Sequence, residues 1–393
     1  MLKSLLLDSS IKKQPIKEVF RVISRYGPIT RSKLSNKLEI KIKQTALARI
    51  ISELKTNNLI KEGGHEESEG GRPPVLYSIV PTAGFIIAVH IIRAHTKVVL
   101  LDSCLHTVKN ETFVMTTKHT PEIVIAKVIE ITNKFLNEYK IELDQLLGIG
   151  ISSVGPLNKK DGIIIKPQLF LSKGWINVPI VKIIKEIFPV KVILEHSSNA
   201  GLMGEYVSSS LPHENMLYIF NSWGTGCGIM TNGEIINSRI GRTDGFAHMS
   251  MDVNGPICFC GSRGCLNTYT SLNSILESLN NSNPYFKSIN WSELSTLEII
   301  ERLKDEYELT NEIVLRSATY LGVGISNLVN IIGSEAVYIS GPLIYHYPNY
   351  YETVIKSISQ RVYGKPNIAL SQGDYEEETL DIGLGALVYA SYY

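Results

Sequence analysis

The chain has 393 residues, 44% hydrophobic and 20% charged, which allows two or three domains with sizeable cores and excludes a disordered chain. No apolar run approaches the roughly 18 residues of a membrane span, and Met1–Asp8 is too short for a signal peptide, so no membrane partner is expected. The net charge of +1 hides an asymmetry: residues 1–80 carry 15 Lys and Arg against 8 Asp and Glu, a balance of +7, and the remainder 24 against 30, a balance of −6. A basic head on an acidic body points to a nucleic-acid-binding module joined to something that is not one.

In the head, Ile16, Val19, Phe20, Ile23 and Tyr26 share one helical face, and Gly27-Pro28 stops that helix. Thr30 caps a second, short helix through Leu34 and Leu38. A turn near Glu39–Lys41 leads to a third helix with Leu47, Ile50, Ile51 and Leu54 as its buried stripe, and Leu59–Lys61 and Val75–Ile79 read as the strands of a β-wing. Three helices and a hairpin make an N-terminal winged helix-turn-helix over residues 1–80, linker included. Off the apolar stripe, the third helix presents Lys43, Gln44, Thr45, Ala48 and Arg49. The start of this helix is the part that enters the major groove, so double-stranded DNA is the expected partner. Gln44 and Arg49 suit base edges, Lys41 and Lys43 suit phosphates, and Thr45 lies on the same face. The wing tip, Gly63–Glu69, is acidic and poorly suited to phosphate. Arg72, between Gly70-Gly71 and Pro73-Pro74, is narrow enough for an A·T-rich minor groove; the alternative is a stiff linker with a solvated arginine.

From Gly84 the pattern becomes α/β. Phe85–Val89, Val98–Asp102, Leu147–Ile151, Val190–Leu194, Met216–Phe220 and Ala336–Ile339 read as strands, Pro121–Tyr139 and Ile382–Ser391 as helices. Three of the five cysteines cluster with a histidine as H-x9-C-x-C-x4-C: His248, Cys258, Cys260 and Cys265. One imidazole and three thiolates form a closed tetrahedral set suited to structural Zn²⁺, with Gly261 and Gly264 making the turn around it. Cys104 and Cys227 read as buried small hydrophobes. This cysteine usage is poor material for a disulfide framework and places the chain in a reducing cytoplasm.

The cysteine string resembles the zinc motif of the ROK family, which comprises repressors, open reading frames and sugar kinases. The likeness extends through Gly27–Arg31, Gly70–Pro74, Lys173-Gly174-Trp175, Val178-Pro179, Asn199-Ala200, Gly204-Glu205, Gly224–Gly228 and Ile339–Pro342. It implies a two-lobed actin/hexokinase-like (ASKHA) body behind the winged head. Lobe 1 would span residues 81–198 and be completed by a C-terminal helix at 380–393; lobe 2, with the zinc motif, would span 199–379.

The same resemblance locates the parts a sugar kinase needs, and several are missing. Where kinases of the family read Asp-x-Gly-Gly-Thr, this chain has His90-Ile91-Ile92-Arg93-Ala94, whose branched residues cannot make a glycine turn for phosphate. In the second phosphate loop, Ser222–Gly228, Trp223 stands where phosphate needs room, and the surviving glycines read as structural turns. The catalytic aspartate falls on Ser197, which cannot act as a general base near neutral pH. Two sugar-binding carboxylates become Gly245 and Asn267. His248 would serve the zinc through one ring nitrogen while the other faces the cleft. The remaining effector pocket would comprise Gln168, His196, Ser197, Gly245, His248 and Asn267, taking a sugar or sugar phosphate.

The resemblance therefore implies a non-enzymatic regulator, read as a repressor of carbohydrate-utilisation genes, with no ATP bound and acting as a homodimer or tetramer on an operator. Two alternatives stay open: a regulator without a small ligand, controlled by a protein partner, and an active sugar kinase.

Overall fold

The computed structural model describes residues 1–65, 73–209, 213–236, 245–364, 367–373 and 378–393. The chain opens with α1 (Leu2–Leu7), α2 (Gln14–Tyr26), β1 (Ile29–Thr30), α3 (Arg31–Lys37), α4 (Gln44–Thr56), β2 (Ile60–His65) and β3 (Val75–Ile79). Ile16, Val19, Phe20 and Ile23 are buried on α2 at helical spacing, as are Leu47, Ile50, Ile51 and Leu54 on α4. Gly27 ends α2 in an extended conformation ahead of Pro28, and the Thr30 hydroxyl accepts from Lys33 N at 3.4 Å to start α3. Two elements were not legible in the pattern. The short α1 buries Leu2 and Leu6, and the buried Lys17 ammonium donates to the Leu6 carbonyl at 2.6 Å. Two-residue β1 adds a third strand, in the order β1-β3-β2.

The first body sheet is built from β4 (Phe85–Ile91), β5 (His95–Asp102), β6 (Thr107–Val114), β7 (Leu146–Ser153) and β10 (Lys191–His196), ordered β10-β7-β4-β5-β6; α5 (Pro121–Glu138), the hairpin β8 (Leu157–Asn158) and β9 (Ile163–Ile164), and α6 (Ile180–Ile187) lie between these strands in sequence. Every residue of β4 is buried because both faces are covered. Phe85, Ile87, Val89 and Ile91 join the core under α5 and α6, while Ile86 and Ala88 join the opposite core. After β10 comes α7 (Ser197–Ser208), then the second sheet: β11 (Met216–Asn221), β12 (Thr225–Thr231), β13 (Glu234–Ile235), β14 (Ala336–Ser340) and β15 (Ala369–Ser371), ordered β13-β12-β11-β14-β15. Its helices are α8 (Asn267–Thr270), α9 (Leu272–Ser282), α10 (Pro284–Lys287), α11 (Thr296–Asp305), α12 (Tyr307–Ile332), α13 (Pro342–His346) and α14 (Tyr350–Ser359), and α15 (Glu378–Ala390) ends the chain.

Helices α7 and α15 cross between the two sheets with their backbones touching. A Cβ on Gly204 would collide with the Thr379 carbonyl, and one on Gly383 with the Ala200 carbonyl. The far side of α15 does not end at solvent. Leu384, Val388 and Tyr389 belong to one continuous core with Leu147 of β7 and with Leu2, Phe20, Ile23 and Ile60 of the N-terminal segment. Arg25 of α2 stacks over the Tyr206 ring of α7 at 4.2 Å, and the Tyr393 hydroxyl donates to the Lys17 carbonyl at 3.4 Å. Head and body therefore share a core. No helix among the described residues is long and apolar enough to cross a membrane.

Because no side chain fits the crossing, Gly383→Val should destabilise the protein by about 3 kcal/mol or more, the upper range for overpacking. Denaturant unfolding measures this, and an unchanged midpoint would mean the crossing is not tight.

Candidate metal centre, interlobe cleft and nucleic-acid face

The turn after residue 244 brings His248, Cys258, Cys260 and Cys265 together, one ligand atom from each lying within 4.8 Å of the others. His248 Nδ1 is 3.5 Å from Cys258 Sγ, and Cys260 Sγ is 3.6 Å from Cys265 Sγ. Ligands at ordinary Zn–N and Zn–S bond lengths around a tetrahedral ion stand about 3.5–3.8 Å apart, so these residues fit a metal. The turn is shaped for it: Cys258 N donates to Ser262 O at 2.8 Å and Gly261 N to Cys258 O at 2.9 Å. Gly264 sits at φ +64°, where a Cβ would strike the Asp252 carbonyl. The His248 ring meets Phe259 edge-on at 5.2 Å.

The loop is tied to the cleft by backbone. Leu266 N donates to Met249 O and Asn267 N to Ala247 O, both at 2.8 Å. Asn267, buried at the start of α8, accepts from Thr225 N through its side-chain oxygen at 3.1 Å. Thr225 Oγ1 in turn donates to Asn221 Oδ1 at 2.8 Å and lies 2.8 Å from Thr270 Oγ1. Of the residues read as an effector pocket, His196, Ser197 and Asn267 are buried and His248 is half-buried, whereas Gln168 and Gly245 are exposed. The glycines Gly226 and Gly228 are not turn residues, as the sequence suggested. They are ladder positions of β12 opposite Phe220 and Tyr218, and Gly228 lacks a side chain because α7 passes against it at the Ser198 carbonyl.

A cavity of about 1010 Å³ lies between the lobes, lined by His90, Arg93, Lys97, Ser222, Trp223 and Gly341 among others. Arg93 reaches across it from lobe 1. Its guanidinium donates to the Leu169 carbonyl and stacks 3.9 Å above the Trp223 ring, while Trp223 Nε1 donates to Thr296 Oγ1 at 3.0 Å. Burial pushes the Arg93 pKa down. Beside it runs a chain of buried polar groups. Ser197 Oγ donates to Ser152 Oγ at 3.5 Å; Ser152 Oγ is 2.7 Å from His90 Nδ1, and His90 Nε2 is 2.7 Å from Asp381 Oδ1. Lys97 Nζ donates to Asp381 Oδ2 at 2.8 Å. Burial alone would raise the Asp381 pKa, but the hydrogen bonds and charges of His90 and Lys97 outweigh it and hold it below the usual value. Sequence reading missed Asp381 and Ser152. Neither lies in a motif, and His90 bridges the two only because β7 and α15 both pack on β4.

The sequence of residues 86–383 matches the profile of the ROK family. The chain belongs to the ROK family. It is 27% identical to a xylose repressor of Bacillus spizizenii over 90% of this chain and 88% of that protein. It is 23% identical to the DNA-binding transcriptional dual regulator NagC of Escherichia coli over 83% of this chain and 79% of that protein. Among solved structures, a ROK family transcriptional regulator described as a homolog of the E. coli MLC protein superposes with a TM-score of 0.75 at 20% identity, covering 99% of this chain and 97% of the other. A ROK hexokinase from Thermus thermophilus superposes with a TM-score of 0.64 at 20% identity, over 78% of this chain and 98% of the other. The two-lobed body is thus the ROK fold, and the regulator's fold extends over the head as well.

In this ROK chain, Lys41, Lys43, Gln44, Thr45 and Arg49 are all exposed at the start of α4 and just before it. Gln44 Nε2 donates to Ser35 Oγ at 3.1 Å, and Arg31 donates to the Gln44 carbonyl, so α3 braces the same end. Arg72 and the acidic stretch 66–69 lie outside the described residues.

Metal removal gives a direct check. Purified protein should contain one tightly held metal ion per chain, and Cys258→Ser or Cys265→Ser should abolish it and lower thermal stability. Metal content near zero in protein that keeps its unfolding midpoint would show that the four residues are ordinary side chains.

Proposed function

We propose that this ROK chain is a DNA-binding transcriptional regulator, a repressor of sugar-utilisation genes, whose kinase-like body senses an effector and mediates self-association. Residues 1–80 form the winged helix-turn-helix, 81–198 with 380–393 the first lobe, and 199–379 the second. The observation that carries the reading is the basic, exposed start of α4 on a head whose core is continuous with the body. Lys41 and Lys43 would meet phosphates, Gln44, Thr45 and Arg49 base edges, and Arg72 the minor groove. As a symmetric dimer or tetramer, two heads would read a pseudo-palindromic operator. The repressor relatives, named for xylose and N-acetylglucosamine, support a sugar or sugar phosphate as effector.

Phosphoryl transfer is not part of this reading. The position expected to hold a carboxylate base carries Ser197, and the space expected to hold nucleotide phosphate is crossed by Arg93 stacked on Trp223. The four-residue metal centre would take Zn²⁺ in a closed, structural role, three thiolates and one imidazole being its preferred set. Its metal would fix the turn that ends in Asn267, and thereby the wall of the effector site at Thr225.

The buried chain Ser197–Ser152–His90–Asp381 supplies a route from that site to the head. Asp381 lies near the start of α15, and the far end of α15 packs on α2 and β7. With Asp381 ionised, His90 Nε2–H donates to it and Nδ1 accepts from the Ser152 hydroxyl. A ligand hydroxyl at Ser197 would reorient this chain and shift α15 between two positions, biasing the head by population shift.

Three outcomes are expected. Arg49→Ala should weaken operator binding by about 1–3 kcal/mol without changing the unfolding midpoint; unchanged affinity in a fluorescence-anisotropy titration would remove Arg49 from the interface and, if Gln44→Ala behaves the same way, the reading with it. Ser152→Ala should leave operator affinity intact while reducing effector-induced release several-fold, and undiminished release would rule out the polar chain as the route. Incubation with ATP and a hexose panel should yield no sugar phosphate above a heat-treated control; turnover would restore the kinase reading.

A further inference from the structure

The β5–β6 turn carries a second constellation of ligand-type side chains, remote in sequence from the cysteine loop. Asp102, Cys104 and His106 each place one potential ligand atom within 4.8 Å of the others. The Asp102 carboxylate divides its work. Oδ1 accepts from Cys104 N at 2.8 Å and from His106 N at 3.0 Å, which folds the turn. Oδ2 lies 3.6 Å from His106 Nδ1. An oxygen and a nitrogen bound to one tetrahedral zinc stand about 3.4 Å apart, so this pair needs little adjustment. The turn is also held in shape from behind. Leu105 adopts the left-handed conformation at φ +66°, and its side chain lies where a Cβ on Gly385 of α15 would be. Spacing of i, i+2 and i+4 is thereby converted into a single ligand face.

Cys104 is only in part the buried hydrophobe its sequence context suggested: it packs against the core shared by head and α15, its thiol 3.8 Å from the Ile79 carbonyl. It is half-buried and opens, with Leu105 and His106, onto a groove of about 810 Å³ that also borders Arg25 of α2, Tyr206 of α7 and Tyr389 of α15. The groove leaves room for solvent to complete a coordination shell. One carboxylate and one thiolate would neutralise a divalent ion, so Arg25 nearby would not repel the filled site. The turn is fastened to the segment joining head to body: Ser103 Oγ donates to Val80 O at 2.7 Å, and Tyr389 OH donates to Ser103 O at 2.9 Å.

We propose that Asp102, Cys104 and His106 form a second, open metal site at the junction of head and body, binding a borderline divalent ion such as Zn²⁺ or Co²⁺ through one oxygen, one sulfur and one nitrogen. Three protein ligands with solvent access make it weaker and more exchangeable than the closed four-ligand centre. Binding releases the thiol proton of Cys104. A metal here ties β5 to β6 at the point where the linker is clasped, so occupancy stiffens the joint between the two parts of the chain.

The test uses the full chain, with the four-ligand centre filled by one equivalent of Zn²⁺, titrated with Co²⁺. One further equivalent should bind and give a thiolate-to-cobalt charge-transfer band. Cys104→Ser should abolish that band, and His106→Ala, at an exposed position that leaves the fold undisturbed, should weaken binding at least tenfold. Excess Zn²⁺ should raise the unfolding midpoint of the wild type and not of His106→Ala. Failure to bind a second equivalent overturns the proposal. So does a band that survives Cys104→Ser and disappears with Cys258→Ser, because the cobalt would then have exchanged into the other centre.

Discussion

Contact between the backbones of α7 and α15 is the constraint on which the rest of this molecule depends. Gly204 and Gly383 admit each helix to the carbonyls of the other, an approach that any side chain would prevent. With that crossing fixed, the first turn of α7 places Ser197 beside the cleft, and its last turns place Tyr206 under Arg25 of the head. Helix α15 likewise runs from Asp381 at the cleft to Val388 and Tyr389 in the head's own core. Two helices thus run from the proposed effector site to the head.

The interlobe cavity is bordered at the end of β4 by polar side chains that other parts of the protein already engage. His90 and Arg93 both point their polarity at protein partners. His90 spans Ser152 and Asp381, and Arg93 spans the Leu169 carbonyl and the Trp223 ring. Buried polar networks of this kind are costly when broken and rigid when complete.

The cysteine loop contributes by a different physical route. Its four ligands come from a segment with little regular structure, and only Gly264 and a few backbone hydrogen bonds shape it. A bound ion would supply there the cohesion that a hydrophobic core supplies elsewhere. That cohesion would pass directly into Asn267, the residue that holds Thr225 in place.

Much of this was written in the sequence alone. Local periodicity gave α2, α4 and four strands of the first sheet, β4, β5, β7 and β10, because burial on one face repeats every three to four residues in a helix and buried strands carry apolar runs. The four metal ligands were legible for a related reason, since their spacing is short and their chemistry specific. What stayed hidden depended on residues far apart in the chain. The six-residue α1 has too few positions to show a period, and β1 exists only because β3 pairs with it. Gly226 and Gly228 looked like turn glycines, yet both are strand positions, and at Gly228 it is α7 that excludes a side chain. Asp381 meets His90 across 291 positions. The sequence determined the elements and the cysteine cluster through local rules; tertiary structure decided the polar chain, the stack of Arg93 on Trp223 and the shared core, because each is a contact between segments whose separation no local pattern records.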